Sequence, residues 1–458
     1  MGQAVGSDPA VTAPLMLRAG VPGAVSAAVH SVGGRPAVVV NFDPSHKRGA
    51  LTRSDGDTLA EAARFARNER VPLVVFMASS GADVGEGLDA LVGWGRAARE
   101  MVRNSGIVPM IMVVTGPAVS GPALLLGLAD AVIMTPDAYA FVSGPRMVTA
   151  FTGVPISVDA LGGPAAHARS SGVTSLIAAS TEDAGDLVEV LLAHLPSHND
   201  EEPPTLATDD PVGRLTPEAG AILPASPTGS YDVRAVARAV VDDEEIIELR
   251  AAWASNLVTA LATIGGRPIG IVANQPQTLA GTLDIAASQK GARFVNFCDG
   301  FNLPILTLVD TPGFAPGKDQ EWRGMIRHGA EMAFAYARAT VPRISLTLRK
   351  SYGGAFIVMD SKTIGNDLAL AWPTAEIAVM GARGAVEILH RRAAPEERVT
   401  LEADYEARLL NPYLAAERGL LDAVIDPSDT RREIADALEL LATKRERIVP
   451  RAHDNSPL

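Results

Sequence analysis

The sequence predicts an α/β protein made of two tandem domains that share one fold. In each half of the chain, runs rich in β-branched residues alternate with helical segments, a pattern typical of parallel strands joined by crossover helices. The halves also repeat one another, because Gly33-Gly34-Arg35-Pro36 recurs as Gly265-Gly266-Arg267-Pro268. Four pairs of residues keep one spacing of 232 positions: Gly34 and Gly266, Gly49 and Gly281, Pro72 and Pro304, and Gly81 and Gly313. This long repeat indicates an internal duplication.

The predicted elements follow the same order in both halves. Apolar, β-rich runs predict the strands, and the longer segments between them predict the helices. The first half is expected to form strands over 36–41, 72–77 and 108–115, with helices over 58–68 and 88–104. The second half is expected to form strands over 268–274, 304–310 and 343–349, with helices over 286–300 and 322–340.

A proline-rich segment marks the predicted domain boundary. Residues 199–229 contain six prolines among acidic and small residues, which favours a linker over a packed helix or sheet. We therefore expect an N-terminal domain over 1–225, which includes most of this linker, and a C-terminal domain over 230–458. An acidic helix is predicted over 231–249. A charged amphipathic helix is predicted over 431–447, where a solvated face is favoured over a subunit contact.

Composition and charge exclude several classes of protein. The chain is 47% hydrophobic and 20% charged, as expected for a compact globular enzyme. A net charge of −13 disfavours nucleic acid or an anionic membrane as the partner. The uncharged stretch 104–129 is interrupted by prolines and glycines, so we expect a buried strand and turn there and no membrane span. The N terminus lacks the pattern of a signal peptide, which predicts a cytoplasmic protein.

The single cysteine excludes an intramolecular disulfide and a cysteine-rich zinc site. Cys298 lies in the predicted helix 286–300 beside phenylalanines, and we expect a buried core thiol. No cluster of His or Cys with metal-ligand spacing occurs in the sequence, so no metal is expected. The familiar phosphate-binding, dinucleotide-binding and serine-hydrolase motifs are also missing.

The most distinctive motif is a glycine-rich turn between a strand and a helix, which occurs once in each half. The turns comprise residues 116–122 and 349–355. Glycine lets the backbone approach a ligand closely, and the first N–H groups of a helix have no partner inside that helix. Two such turns can form two oxyanion holes that stabilise an enolate-like charge. The alternative, that the glycines only permit tight packing, is weaker for a matched pair than for one turn.

A second glycine-rich motif follows another strand in each half. Residues 310–317 of the second half match residues 78–82 of the first, and we expect both to form cleft walls facing the holes. Asp310 can be interpreted as an acid or base, although a turn-capping role is favoured. His328 can be interpreted as a base, although a hydrogen-bonded, partly exposed histidine on a helix is favoured.

The second half resembles the carboxyltransferase (β) subunits of biotin-dependent acyl-CoA carboxylases of the propionyl- and acetyl-CoA type, close to those of actinobacteria. The first half matches more loosely, through segments such as 105–109 and 143–145. The motifs that carry the resemblance include Asp310-Thr311-Pro312-Gly313-Phe314, Arg327-His328-Gly329-Ala330, Arg349-Lys350, Tyr352-Gly353-Gly354-Ala355, Ala371-Trp372-Pro373 and Ala416-Glu417-Arg418-Gly419.

This resemblance implies two crotonase-like domains of the ClpP/crotonase superfold. It also implies a homo-hexamer, a trimer of dimers, whose active sites lie between the N-terminal domain of one subunit and the C-terminal domain of another. Carboxybiotin carried by a biotin carboxylase/biotin carrier (α) subunit would donate its carboxylate to the α-carbon of a short acyl-CoA, such as acetyl- or propionyl-CoA. The ureido nitrogen of biotin would take the α-proton, which explains why the sequence shows no general base.

The resemblance also implies roles for individual residues. The catalytic amides would come from Gly354 and Ala355 on the biotin side and from Ser120 and Gly121 on the acyl-CoA side. Ile357 would help to select the length of the acyl chain, and its aliphatic side chain resembles that of members that accept acetyl-CoA. The other residues expected to bind substrate are Gly353, Tyr352, Gly81, Ala82, Gly313 and Phe314.

The first half departs from the family pattern within residues 43–49, 79–83 and 119–122. Ser80 replaces a glycine, Asp83 replaces an arginine, and Pro122, which has no N–H, replaces an alanine. These departures leave two alternatives beside the carboxyltransferase. One is a diverged acyl-CoA decarboxylase or a carboxylase of secondary metabolism with the same fold, and the other is a noncatalytic subunit paired with an active paralogue.

Overall fold

A computed structural model describes residues 16–17, 23–226, 228–444, 446, 448–450, 453, 455 and 457. The first 15 residues of the predicted N-terminal domain lie outside the described residues. The chain divides into two compact units. The first comprises residues up to 167 together with 176–192, and the second comprises 168–175 and 193–458. The proline-rich segment 199–229 therefore belongs to the second unit.

The first unit contains an eight-stranded mixed sheet with the strand order β1-β2-β3-β4-β5-β6-β8, in which β7 also pairs with β5. Strands β2 and β3 form an antiparallel hairpin, and β3 to β6 are parallel. The strands are β1 (Met16–Leu17), β2 (Val25–Val32), β3 (Arg35–Phe42), β4 (Leu73–Ser79), β5 (Met110–Val119), β6 (Ala131–Met134), β7 (Tyr139–Phe141) and β8 (Leu176–Ile177). The helices are α1 (Arg53–Glu69), α2 (Leu88–Asn104), α3 (Gly121–Leu124), α4 (Pro145–Thr152), α5 (Val158–Gly162), α6 (Pro164–Ala166) and α7 (Thr181–Ala193).

The second unit repeats this topology, with the strand order β16-β14-β13-β12-β11-β10-β9 and with β15 paired to β13. The strands are β9 (Ile247–Glu248), β10 (Leu257–Ile264), β11 (Arg267–Asn274), β12 (Ile305–Thr311), β13 (Arg343–Tyr352), β14 (Leu368–Ala371), β15 (Glu376–Ala378) and β16 (Ala423–Val424). The helices are α8 (Pro217–Ala221), α9 (Val233–Val240), α10 (Ile285–Gly300), α11 (Lys318–Trp322), α12 (Met325–Arg338), α13 (Gly353–Val358), α14 (Ala382–Leu389), α15 (Pro395–Leu409), α16 (Pro412–Glu417) and α17 (Thr430–Leu440).

The duplication extends to the backbone conformation. Both hairpin turns place two consecutive glycines at positive φ, 55° and 79° for Gly33-Gly34 and 59° and 75° for Gly265-Gly266. Positive φ at both central residues is the geometry of the tight two-residue turn that suits the twist of paired strands. Gly81 and Gly313 likewise have φ of 112° and 137° at matching strand exits. The repeated glycines of the sequence are therefore required by the conformation of the chain.

The strands and long helices predicted within the two repeated halves are confirmed, apart from small shifts at their ends, whereas the helix predicted over 431–447 is wrong beyond Leu440, where α17 ends. The helix predicted over 231–249 is wrong beyond Val240, where α9 ends. Its acidic end turns instead, because the Asp242 carboxylate accepts hydrogen bonds from the N–H groups of Gly265 (2.9 Å) and Gly266 (2.8 Å) and pairs with buried Arg431 (2.5 Å). These long-range contacts hold the segment after Val240 in a turn in place of a continued helix.

Apolar side chains fill the interior of each unit. In the second unit, one cluster joins β10–β13 to α9 and α17 and includes fully buried Trp372. The Cys298 thiol is also fully buried, and burial raises its pKa, so the predicted core thiol is confirmed. The uncharged stretch 104–129 forms β5 and α3, as expected. Among the residues that the structure describes, no helix has the length and apolar character needed to cross a lipid bilayer.

Lys290 is a buried cation on α10 that holds the turn between β9 and β10. Its Nζ donates to the carbonyl oxygens of Arg250 (3.0 Å), Trp253 (2.9 Å) and Leu257 (2.7 Å). Arg250 in turn donates from Nε to the Gly172 carbonyl at 2.8 Å. One lysine thus orders the turn 250–257 and, through it, the segment that contains Gly172.

Substitution of Lys290 by methionine tests this arrangement through pH. Burial lowers the pKa of Lys290 from 10.5 to about 7, so the unfolded chain binds a proton between pH 7 and 10 that the folded chain releases. We therefore expect the wild type to gain stability relative to Lys290→Met between pH 7 and 9, by up to about 1.4 kcal/mol per pH unit. Urea unfolding measures the difference. A stability difference that does not change with pH would contradict the lowered pKa of Lys290. Lys318→Met, at an exposed lysine, is the control, and we expect it to change stability by less than about 0.5 kcal/mol.

Candidate active site

In the second unit, the candidate site is built around the turn between β13 and α13. Gly353 has φ of 59°, which a residue with a side chain rarely adopts and which turns the strand sharply into the helix. Gly354 and Ala355 follow in the first turn of α13, where N–H groups have no partner within the helix. Neither amide donates to a described residue outside α13. Gly354 is exposed whereas Ala355 is fully buried, so the turn presents the Gly354 amide, and the expected role of the Ala355 amide as an oxyanion donor needs correction.

A second strand exit lies beside this turn. Thr311 at the end of β12 pairs with Ser351 of β13, and Gly313-Phe314 follow directly. The Gly313 carbonyl accepts from the Leu283 N–H at 3.1 Å, whereas the Phe314 N–H has no acceptor among the described residues. A Cβ atom placed on Gly354 would lie 3.5 Å from the Phe314 ring. Gly313 and Phe314 thus form one wall of the space in front of Gly354.

Two cavities meet at Gly354 and Ile357. The first, which we call the α15 cavity, has a volume of about 530 Å³ and reaches α15 and the turn after α16. The second has a volume of about 520 Å³ and lies against α12. The α15 cavity is lined by Gly353, Gly354, Phe356, Ile357, Ile377, Ala378, Val379, Tyr405, Leu409, Arg418 and Leu420. Both cavities are largely apolar, and this strengthens interactions of the few polar groups that line them.

The first unit contains the matching turn, between β5 and α3. Ser120 has φ of 63° and ψ of −135°, a conformation favoured by glycine, and it occupies the position of Gly353. Its N–H donates to the Phe141 carbonyl at 2.9 Å, so the expected role of the Ser120 amide as an oxyanion donor needs correction. Pro122 has no N–H. Of residues 120–122, Gly121 is therefore the one whose amide has no acceptor among the residues that the structure describes.

The second strand exit of the first unit supplies another unpaired amide. Leu51 forms an isolated bridge with Ala82: its N–H donates to the Gly81 carbonyl at 2.8 Å, and its carbonyl accepts from the Asp83 N–H at 2.9 Å. The Ala82 N–H has no acceptor among the described residues. A side chain on Gly81 would approach the Val119 carbonyl to 3.3 Å. Gly81 and Ala82 thus lie beside the turn that contains Gly121.

The acidic substitution in this region is locally compensated. The Lys47 Nζ lies 2.7 Å from the Asp83 Oδ2, and Asp83 also accepts from the Gly85 N–H at 2.9 Å. The hydrogen bond from Lys47 is the main cause that lowers the pKa of Asp83. Ser80 donates from its N–H to the Arg48 carbonyl at 3.1 Å. The negative charge of Asp83 is therefore balanced by the neighbouring Lys47.

Asp310 lies within β12, and its expected role as a turn cap is wrong. Its carboxylate accepts from the Tyr231 hydroxyl (2.9 Å), the Arg349 Nε (3.1 Å) and the Lys350 N–H (3.1 Å). Burial raises the pKa of Asp310, and Arg349 opposes that rise. The side chains of Asp310 and Arg349 are 2% and 9% exposed. Asp310 therefore joins β12 to β13 three residues before the Gly353 turn.

Two other polar side chains near the site have structural partners. The Tyr352 hydroxyl donates to Glu376, and burial with this contact raises the pKa of Tyr352. His328 contacts the Glu331 carboxylate through Nδ1 at 2.7 Å and is half-buried, so the expected hydrogen-bonded histidine on a helix is confirmed. Among the described residues, no cluster of His, Cys, Asp and Glu could hold a metal ion. Backbone amides are thus the polar groups that the Gly353 turn itself offers, beside the Glu321 carboxylate that lines the cavity against α12.

Sequence reasoning missed the roles of Tyr231 and Lys47. Tyr231 lies in a segment with no motif, and its distance of 79 residues from Asp310 gives no local signal. Lys47 could have been found, because a basic residue is a natural partner for the unexpected Asp83.

Comparisons with known proteins agree with this geometry. The carboxyl transferase domain family matches residues 12–456. The methylmalonyl-CoA carboxyltransferase 12S subunit of Propionibacterium freudenreichii subsp. shermanii is 42% identical over 430 residues, 93% of this chain and 82% of that protein. The propionyl-CoA carboxylase beta chain of Saccharopolyspora erythraea is 42% identical over 447 residues, with the same coverage.

A solved structure shows the same fold. The transcarboxylase 12S crystal structure, a hexamer with methylmalonyl-CoA and methylmalonic acid bound, has a TM-score of 0.93 and 41% identity to this chain. The match covers 95% of this chain and 85% of that one. The predicted pair of crotonase-like domains is thereby confirmed. The chain belongs to the carboxyl transferase domain family.

Proposed function

We propose that this protein is the carboxyltransferase subunit of a biotin-dependent acyl-CoA carboxylase. It would transfer the carboxylate of carboxybiotin to the α-carbon of a short acyl-CoA of the acetyl- or propionyl-CoA class. The observation that carries the proposal is the presence, in each unit, of backbone amides at two adjacent strand exits that have no acceptor among the described residues. Family membership and the similarity to propionyl-CoA carboxylase beta chains support it.

The amides of the first unit would hold the thioester oxygen. Removal of a proton from the α-carbon places negative charge on that oxygen, and the amides of Ala82 and Gly121 would stabilise it. The loss of one donor at Pro122 leaves this pair intact, because neither amide belongs to that residue. The departures from the family pattern at Ser80, Asp83 and Pro122 are therefore compatible with enolate formation.

The amides of the second unit would hold biotin. Its neutral ureido oxygen needs hydrogen-bond donors, and the amides of Phe314 and Gly354 fit that need. Carboxybiotin, carried on a partner α subunit, supplies the carboxylate when it is bound. Gly353 and Tyr352 would shape this turn. We also propose that the sites form between subunits of a hexamer, as the hexameric 12S relative suggests.

The proposal is tested with the purified chain, a biotinylated carrier with its biotin carboxylase, ATP, labelled bicarbonate and a panel of acyl-CoAs. We expect label in malonyl- or methylmalonyl-CoA. Decarboxylation of malonyl-type CoA without the carrier would support the diverged enzyme instead. Inactivity that only a paralogous β subunit relieves would support the structural subunit. Either result would contradict the proposal.

Ile357 should limit the length of the acyl chain. Its side chain lines both cavities beside Gly354 and is 37% exposed. We expect Ile357→Ala to raise kcat/KM for butyryl-CoA relative to propionyl-CoA by about tenfold, because one methylene in an apolar pocket changes discrimination by roughly 10- to 200-fold. Competition assays with both thioesters measure this ratio. An unchanged ratio would place the acyl chain away from Ile357, and Val399→Ala, an exposed position on α15, is the control.

A further inference from the structure

We infer that Arg418 binds the transferable carboxylate in the α15 cavity, an inference that rests on the proposed function. Arg418 lines the same cavity as Gly353 and Gly354, and it is the one ionised side chain among the described residues that line it. The other lining groups are apolar side chains, backbone and the Tyr405 phenol. A cation in such surroundings selects a ligand with a negative charge.

Arg418 has no competing partner in the part of the chain that the structure describes. Among the described residues, no carboxylate lies within ion-pair distance of its guanidinium, and no hydrogen bond engages the side chain. By contrast, nearby Arg408 and Arg383 each pair with an acidic residue four positions away. The guanidinium of Arg418 is therefore available for a planar anion, which it can bind through two parallel N–H groups.

The backbone around Arg418 is fixed. Its N–H donates to the Leu414 carbonyl at 3.2 Å as α16 ends, and Gly419 then adopts φ of 71°. The Leu420 N–H returns to the Ala415 carbonyl at 2.9 Å, which closes the end of the helix. The side chain thus extends from a rigid turn, and this lowers the cost of orienting it for a ligand.

A carboxylate suits this position because one guanidinium can bind one planar anion through two parallel N–H groups. The cavity holds about 530 Å³, offers one cation and includes the glycine turn proposed to hold the biotin ureido oxygen. The carboxylate on carboxybiotin is attached directly to that ureido ring. After transfer, the same group is part of the product acyl-CoA. The carboxylate that Arg418 binds is therefore carried first by biotin and then by the acyl-CoA.

Three variants test this inference: Arg418→Gln, Arg418→Lys and, as a control, Arg408→Gln on α15. We expect Arg418→Gln to raise KM for the carboxylated carrier by about 10- to 100-fold, the equivalent of one charged hydrogen bond. The Kd of the uncarboxylated biotinylated carrier should stay within about twofold, because it lacks the carboxylate. Arg418→Lys should recover part of the loss, since it keeps the charge and loses the planar fork. Arg408→Gln should behave as the wild type.

The two carriers of the carboxylate are distinguished by running the reaction in reverse, from methylmalonyl-CoA to free biotin amide. A rise in KM for methylmalonyl-CoA alone would assign Arg418 to the product and would overturn binding on the biotin side. Kinetics of Arg418→Gln within twofold of the wild type, or equal weakening of carboxylated and uncarboxylated carriers, would overturn the inference. Arg418→Met replaces Arg418→Gln if the latter fails to fold. Absence of transfer by the wild type would instead defeat the proposed function.

Discussion

Replacement of Gly354 by valine is expected to lower the rate of carboxylate transfer by a factor of at least about 100, the usual effect of losing one oxyanion donor. The two cavities meet at Gly354, and a Cβ there would lie 3.5 Å from the Phe314 ring, an ordinary contact. The added methyl groups of valine would occupy the space in front of the amide without displacing the backbone. Labelled-carboxylate transfer, together with sedimentation to check the assembly, measures the result.

Gly384→Val is the matched control. Gly384 also lies in a helix, and a Cβ there would likewise meet its nearest neighbour, the Met380 sulfur, at 3.5 Å. It lines neither cavity. We expect this variant to keep transfer within about twofold of the wild type. Wild-type turnover by Gly354→Val would show that this turn takes no part in catalysis.

Loss of the Asp310 carboxylate should cause the largest change in stability. Asp310→Ala leaves the buried Arg349 guanidinium without its carboxylate, and breaking a buried pair costs about 3–5 kcal/mol. It also frees the Tyr231 hydroxyl and the Lys350 N–H. We expect urea unfolding at a lower concentration and slower transfer, because the end of β13 loses its connection to β12.

A double variant separates stability from positioning. Asp310→Leu with Arg349→Met replaces the pair by apolar side chains, and such replacements often restore stability. We expect the double variant to regain part of the stability and to remain slow in transfer. Asp404→Ala, at an exposed ion pair with Arg408, should change stability by less than about 1 kcal/mol. An Asp310→Ala protein as stable as the wild type would refute the network.

The topology could be predicted because its determinants are local or repeated. The glycine pairs that form the two hairpin turns are adjacent in sequence, and their conformation follows from glycine itself. Because the two halves repeat one another, each element predicted in one half also predicts the matching element in the other. The turn at Gly353-Gly354 could be predicted from the sequence for the same reason.

Contacts between distant residues explain what could not be predicted. The end of α9 depends on Asp242 meeting Arg431, 189 positions away. The availability of the Ser120 amide depends on the Phe141 carbonyl, which pairing of β5 with β7 brings into reach. The partners of Asp310 likewise come from residues 39 to 79 positions away. Sequence patterns specify the elements, whereas these side-chain and backbone partners follow from packing.

The central claim is that backbone amides hold the reacting oxygens, and a structure of the assembled protein with a CoA thioester and biotin amide bound tests it most directly. We predict the thioester oxygen within about 2.7–3.2 Å of the amide nitrogens of Ala82 and Gly121. We predict the biotin ureido oxygen at the same range from those of Phe314 and Gly354. Ligands whose oxygens lie beyond about 4 Å from these amides, or that contact side-chain acids or bases instead, would contradict the account.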